Sequence, residues 1–482
     1  MAEDKKIQTY FDDWIEREAI AERMVPVIGS LYREKGLVIT IFGRSLIRSS
    51  PIDIIKAHRF ARRILGEELP LKLGSKIVET LAKIDLPASR IDIGKLAKIF
   101  QNENGGLDVS TFIRASLDAC KETSNVMQNK PKDIVLYGFG RIGRMVARIL
   151  IDRSGGGDKW RLRAIVVKGR GPEELTKRAS LLRRDSIHGP FKGTIQIDEE
   201  MNALIINGNL VRIINADSPE QVDYDQYDIE DAIIVDNTGV WRDRTGLEKH
   251  LMSNGAGYVI LTAPGKGDIP DIIYGVNNQD IQEDDRIISA ASCTTNAIVP
   301  VLKAMDDRFK IKQGHIDTCH SYTNDQHLID NFHRKDRRGR AAPLNMVITE
   351  TGAASAVTKA LPALDGKLTA NAIRVPTPNV SLAILKLNLV ATTTVEEVNE
   401  YLRAISLDSP LQSQIDYTTS KEVVSSDFIG YLKTSIIDSE TTIVQGKQCV
   451  LYVWYDNEFG YAGQVIRIIQ HLTRLELPSF PK

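Results

Sequence analysis

Cys293 stands in Ala290-Ala291-Ser292-Cys293-Thr294-Thr295-Asn296, after a strand-like run (RIIS) and before a helix-like one (AIVPVLKAM). A thiol at a strand end, entering a helix, lies in the field that lowers a thiol pKa. The chain has four cysteines. Cys120 falls in a helical stretch and Cys449 in an alternating strand, both packing positions. Cys319 adjoins His320, but neighbours on a strand point to opposite faces. Only Cys293 has the hydroxyl-rich, turn-like setting expected of a reactive thiolate. Such a nucleophile needs a base, normally histidine. Of the eight histidines, His58, His250 and His471 read as surface or packing residues on helices, whereas His320 closes a strand-like run, HIDTCH. Its pairing with Cys293 has to be made in space.

A second chemistry lies at Gly138-Phe139-Gly140-Arg141-Ile142-Gly143, a GxGxxG turn between a strand-like and a helix-like segment. Gly138 allows the tight turn, Gly140 lets backbone approach a pyrophosphate on the helix N-terminus, and Gly143 lets helix and strand pack closely. In that context the turn predicts dinucleotide binding. The carboxylate that usually closes the next strand and holds a ribose 2′-hydroxyl is missing. RAIVV (163–167) ends instead in Lys168-Gly169-Arg170. Two cations there favour a 2′-phosphate, hence NADP with NAD also used. The alternative, that Lys168 and Arg170 are solvated loop charges, stays open.

These residues need elements to hold them. The 482 residues are 42% hydrophobic and 26% charged, enough apolar surface for a sizeable core of two to four domains. Lysine plus arginine total 62 against 63 acids, a net charge of −1, so no basic field for nucleic acid is expected. Few cysteines, an acidic amphipathic start unlike a signal peptide, and no long apolar run predict a cytoplasmic protein with no membrane partner. No metal is called for. Tyr10, Trp14, Ile20, Met24, Ile28 and Leu31 share one face of a long first helix. Ile54 to Ile64, Ile77 to Ile84 and Ile93 to Ile99 suggest further helices, and Asp108 caps another. Residues 1–130 therefore read as an all-α domain without a chemical motif, ending in a polar linker (121–132). From 131 to 291, Val/Ile/Leu-rich strands alternate with helices, as in an α/β Rossmann-type domain with a parallel sheet. Residues 292–456 carry longer alternating strands (SLAILKLNLV, KQCVLYVWYD), an α+β catalytic domain with an antiparallel or mixed sheet. A C-terminal helix, 457–482, completes the dinucleotide domain.

From Lys132 onward the chain carries GFGRIGR (138–144), DSIHGPF (185–191), NTGV (237–240), SAASCTTN (289–296), HSYTNDQ (320–326), GRAA (339–342), TGAASAV (351–357), RVPTPNVS (374–381) and WYDNEFGY (454–461). In these motifs and their order it resembles the phosphorylating glyceraldehyde-3-phosphate dehydrogenase family. It implies a thiohemiacetal and then a thioester on Cys293, with His320 as base and oxyanion stabiliser. Inorganic phosphate releases the product as an acyl phosphate. It implies that Arg374 binds the substrate phosphate and Arg338 a second anion, with Ser292, Thr294, Thr323, Thr351 and Gly352 as further donors. Asn457 would meet the nicotinamide carboxamide, and Thr238 and Thr262 the cofactor at strand ends. A homotetramer, and a glycolytic or gluconeogenic role, are also implied.

The departures are specific. Asp325 stands where many members have threonine, Ala297 where many have a second cysteine, and residues 153–160 are an insertion. Asp325 keeps open a different phosphorylated aldehyde, such as erythrose 4-phosphate. A regulatory or scaffold protein retaining the fold is the rival from another class. The extension suggests a partner of its own for residues 1–130.

Overall fold

A computed structural model describes residues 2–103, 106–121, 130–154, 160–169, 173–475 and 477–481. The chain forms two compact units, Met1–Asn129 with Arg474–Lys482, and Lys130–Thr473.

The first unit opens with α1 (Ala2–Lys35), followed by β1 (Val38–Ile41), β2 (Arg44–Ser45), α2 (Pro51–Phe60), α3 (Arg62–Leu65), α4 (Leu71–Ala82), β3 (Arg90–Asp92), α5 (Ile93–Glu103), α6 (Val109–Ser116) and α7 (Asp118–Lys121). Local signals set the helix starts. Ser50 and Asp53 form a reciprocal capping box at α2, and the Asp108 carboxylate accepts from the Ser110 and Thr111 amides at α6. Ile20, Met24, Ile28 and Leu31 of α1 are in the core, but Tyr10 (67% exposed) and Trp14 (41%) are not. The shared face is real, yet the core it faces covers only the helix's later turns.

The expectation of an all-α extension is corrected by a small sheet of order β2-β1-β3-β20, whose last strand is Ser479–Phe480. Runs of two to four residues are too short to show a period of two. The closing strand also arrives from the far end of the sequence, pairing parallel with Arg90 and Ile91. The span 457–482 is corrected accordingly: a helix at Phe459–Leu472 belongs to the second unit, while residues from Arg474 on belong to the first.

The second unit carries two eight-stranded sheets. In chain order its first half runs β4 (Lys132–Tyr137), α8 (Arg141–Arg153), β5 (Trp160–Val167), α9 (Glu173–Arg183), β6 (Ile195–Asp198), β7 (Ala203–Ile206), β8 (Asn209–Asn215), β9 (Ala232–Asp236), α10 (Arg244–Leu251), β10 (Ala256–Leu261) and β11 (Ile287–Ser289). The order is β11-β10-β9-β4-β5-β8-β7-β6, parallel from β11 to β8 and antiparallel beyond. Its second half runs α11 (Cys293–Phe309), β12 (Ile311–Ser321), β13 (Val347–Thr349), α12 (Ala353–Ala360), β14 (Leu368–Val375), β15 (Ser381–Leu389), α13 (Val395–Leu407), β16 (Ile415–Thr418), β17 (Ser435–Asp438), β18 (Ile443–Gln445), β19 (Gln448–Tyr455) and α14 (Phe459–Leu472). The mixed sheet has the order β13-β14-β12-β15-β19-β17-β16, with β18 on β19. Strands β4 and β9 are buried on both faces, as their aliphatic runs predict, and β10 is so over Val259–Leu261. β15 and β19 alternate, burying one face against α11. Most of the linker (122–129) and of the insertion (155–159) lies outside the described residues. No described helix is long and apolar enough to cross a membrane.

Candidate active site

The thiol is aimed by a sharp turn. After β11, Ala291 adopts a left-handed φ of 56°, which a non-glycine residue accepts only under restraint. The restraint includes the Tyr461 hydroxyl, which donates to the Ala291 carbonyl at 2.9 Å. Ser292 caps α11, its Oγ accepting from the Thr295 amide at 3.0 Å, and Cys293 is the helix's first residue. Strand β12 delivers His320, whose Nε2 lies 3.4 Å from Cys293 Sγ. Its Nδ1 sits 2.6 Å from the Ser321 carbonyl. In the tautomer whose Nδ1 donates there, Nε2 is the acceptor for the thiol proton.

Strand register supplies the third member. β12 and β14 pair in parallel with His320 beside Arg374. The Arg374 guanidinium touches the His320 ring and donates to Ser321 O at 3.0 Å. Burial, reinforced by the Arg374 charge, pushes His320 down to about 3. Burial raises the Cys293 thiol, and Arg374 opposes that rise. The resting pair is thus a neutral thiol against a neutral imidazole, with a guanidinium placed to favour thiolate.

Arg338 joins this pocket from the 336–339 turn. Its Nε donates to Thr349 Oγ1 at 3.0 Å and its Nη1 pairs with Asp325 at 2.5 Å. The Thr323 hydroxyl donates to the same carboxylate. Burial raises the Asp325 carboxyl, but Thr323 and Arg338 outweigh it and hold it below the ordinary carboxylate range. Asp325 therefore does not face an anion site as a bare charge; it is tied to one of the two arginines. Thr294 is buried with its hydroxyl 2.9 Å from Tyr455 OH. Thr351 accepts from the Ala353 amide at 3.2 Å, and Gly352 caps α12.

The glycine turn fits a dinucleotide. Gly138 has φ +94°, and a Cβ there would meet Thr238 Cγ2 at 2.9 Å. A Cβ at Gly143 would meet the Gly138 carbonyl at 2.5 Å. At Gly140, the cap of α8, nothing lies within 4 Å of that position. Two glycines thus close the strand–turn–helix joint and the third leaves clear space before the helix N-terminus. That is where a pyrophosphate would meet the backbone donors of Arg141 and Ile142. The Arg141 side chain is engaged elsewhere, pairing with Asp185 and Glu458. Phe139 is buried, its carbonyl accepting from Arg144 at 3.1 Å. Thr238 Oγ1 donates to Asp236 at 2.7 Å, and Thr262 Oγ1 to the Asp236 carbonyl at 2.9 Å, so both lie at the carboxyl ends of central strands. Lys168 is exposed at the end of β5, while Arg170 lies outside the described residues.

Ser321, Ser381, Asp456 and His188 support the site and were not singled out by sequence reasoning. Asn457 Oδ1 accepts from Ser381 Oγ at 2.8 Å, and Ser381 Oγ accepts from the Ser321 amide at 3.1 Å. One hydrogen-bond chain therefore links Asn457 to the strand end that carries His320. Next to Asn457, Asp456 accepts from the amides of Glu458, Phe459 and Gly430 and lies 3.0 Å from His188 Nε2. DSIHG and WYDNE both contained these residues. What they lacked was any local sign that a loop after α9 meets the start of α14.

A parallel sheet with a glycine-turn cradle, joined to a mixed sheet bearing a thiol–imidazole pair and two arginines, defines a dinucleotide-binding oxidoreductase. Residues 132–244 match the description "Glyceraldehyde 3-phosphate dehydrogenase, NAD binding domain", and 292–457 its "C-terminal domain". The chain belongs to the glyceraldehyde-3-phosphate dehydrogenase family. It is 55% identical over 461 residues to a "Glyceraldehyde-3-phosphate dehydrogenase-like protein" of Pseudomonas aeruginosa, covering 95% of this chain and 100% of that protein. It is 38% identical over 339 residues to "Glyceraldehyde-3-phosphate dehydrogenase 2" of Trichormus variabilis, 70% of this chain and 97% of the relative. It is also 40% identical over 335 residues to a chloroplastic "Glyceraldehyde-3-phosphate dehydrogenase A" of Zea mays, 69% of this chain and 80% of that one. The length of the Pseudomonas match requires that most of the N-terminal unit is shared with that relative. NAD or NADP is the family's cofactor.

Proposed function

We propose that the chain catalyses the reversible, phosphorylating oxidation of glyceraldehyde 3-phosphate to 1,3-bisphosphoglycerate, with either NAD or NADP. The observation that carries this reading is the 3.4 Å contact between Cys293 and His320 beside Arg374. Cys293 Sγ adds to the aldehyde carbon while His320 Nε2 takes the thiol proton, giving a thiohemiacetal. The protonated ring then donates to the new oxyanion, and as a base it later removes that hydroxyl proton. The bound dinucleotide supplies the hydride acceptor for this step. Gly138, Gly140 and Gly143 cradle it, with Thr238, Thr262 and Asn457 as further contacts. The resulting thioester is attacked by inorganic phosphate; the C–S bond breaks and the sulfur recovers its proton from His320. Two anions must be held at once, and two guanidinium forks suit them. Arg374 takes the substrate phosphate and Arg338 the other. Ser292, Thr294, Thr323, Thr351 and Gly352 line the approach as secondary donors.

Initial rates with NAD and with NADP, each with and without phosphate, test the reading. Turnover that needs phosphate supports it, and aldehyde oxidation indifferent to phosphate overturns it. Comparing erythrose 4-phosphate with glyceraldehyde 3-phosphate on kcat/KM decides between the two aldehydes. We further propose a cytoplasmic homotetramer. Among the described residues none of the site comes from the N-terminal unit, and its work is assigned to a partner rather than to the chemistry.

A further inference from the structure

The carboxylate absent from the end of β5 in the sequence is present there in space. β5 ends at Val167, and Lys168 and Gly169 continue it. A Cβ built on Gly169 would collide with the carboxylate of Glu174, whose Cδ would lie 2.7 Å and Oε1 3.0 Å away. Glu174 is the second residue of α9, so a helix reaches back over the strand end. Arg178, one turn on, fixes it: Nη2 donates to Glu174 Oε2 at 2.8 Å and to the Lys168 carbonyl at 3.0 Å. The Arg178 Nε is buried without a partner. The carboxylate keeps 39% of its side-chain surface exposed and the guanidinium 17%, so the acid faces outward and the base supports it from behind.

In an open parallel sheet the dinucleotide crosses the carboxyl ends of the strands. The strand after the glycine-turn strand receives the adenosine ribose, and here that strand is β5, paired with β4. A carboxylate at this place accepts a hydrogen bond from a 2′-hydroxyl and repels a 2′-phosphate, which carries about −1.5 to −2 charges. Lys168, exposed at the strand end, screens only part of that repulsion.

We propose that Glu174 is the residue that discriminates the cofactor's 2′ position, favouring NAD and restraining NADP, with Arg178 as its positioning partner. This rests on the dehydrogenase reading above and deepens it. The test is equilibrium titration of the full chain with NAD and, separately, NADP, followed by tryptophan fluorescence, so that turnover is not the readout. Glu174→Gln, an isosteric change, should raise the NADP/NAD affinity ratio by about tenfold to a hundredfold. Arg178→Gln, which leaves the carboxylate uncompensated, should lower the same ratio. A ratio unchanged in both variants, with both cofactors still bound, overturns the assignment of Glu174. Failure of the unaltered chain to bind either dinucleotide overturns the dehydrogenase reading itself.

Discussion

Removing the Arg374 guanidinium would act on two acids at once. Its charge opposes the burial that raises the Cys293 thiol, and it adds to the burial that lowers His320. In Arg374→Gln the thiol pKa should therefore rise further and the imidazole pKa should rise with it. The alkylation rate of Cys293 by iodoacetamide, followed against pH, should shift to higher pH; an unmoved profile would show that the guanidinium does not sense the thiol. Cys293→Ser should abolish aldehyde oxidation and esterolysis together, and surviving turnover would remove it as nucleophile. His320→Asn should lower kcat by roughly 10²–10⁴. Both residues were legible singly, from the turn around the thiol and the strand before the ring. Their pairing was not, because it depends on how α11 lies against β12; nor was the place of Arg374 beside the ring, which the register of β12 against β14 sets across more than fifty residues. Asp325 was legible as an oddity, but only space shows it neutralised by Arg338.

At the scale of elements, the N-terminal unit holds a titratable group where helices pack. His58 on α2 is fully buried, its Nδ1 donating to the Ile54 carbonyl at 2.8 Å and its Nε2 unpartnered against Gly74 of α4. Burial is the main cause that pushes it down to about 4; the Ile54 carbonyl opposes, Arg17 adds, and Glu68 opposes. The unfolded chain, with its histidine near 6.5, binds the proton first, so this unit loses stability as pH falls from 6.5 towards 4. At about 1.36 kcal/mol per pH unit the loss approaches about 3 kcal/mol. Hydrogen exchange of buried α2 and α4 amides in the full chain, corrected for intrinsic rates, should show it, and His58→Leu should flatten it. Equal slopes in both proteins would sink the argument. The same unit depends on the chain's end. Phe480 is buried in its core, and the Arg90 amide donates to the Pro478 carbonyl at 2.8 Å. Deleting residues 477–482 should lower protection of β3 amides by about 2–4 kcal/mol, the usual cost of emptying a large core position, and leave turnover unchanged. Helix starts here were written locally in Ser50 and Asp108. The sheet was not, since its strands are brief and its last partner lies almost four hundred residues away.

For the whole molecule, overall charge says little: 62 cations balance 63 anions, and the charges that matter are local, at Arg374, at Arg338 with Asp325 and at Glu174 with Arg178. Surface apolarity says more. Between His327 and Thr349 the side chains of Leu328, Ile329, Phe332, Leu344, Met346 and Ile348 are all exposed, Phe332 at 89% and Leu344 at 81%. Such a run in a single segment exceeds what an isolated chain ordinarily leaves in water. Closed homo-oligomers are the commonest way to cover it, since a two-fold axis makes one patch serve both copies. The sequence displayed these residues but not their exposure, because apolar spacing in an irregular loop carries no period to show which side faces water. Arg338 stands in the same segment, held by Thr349 and Asp325. Association through this loop would therefore also steady one anion site. Phe332→Asp combined with Leu344→Asp should reduce the sedimentation mass of the full chain, raise the KM for phosphate by roughly threefold to tenfold, and leave NAD affinity nearly unchanged. A double variant of undiminished mass would show that another surface joins the copies. A reduced mass with unaltered phosphate saturation would show that the loop holds Arg338 in place without its neighbour.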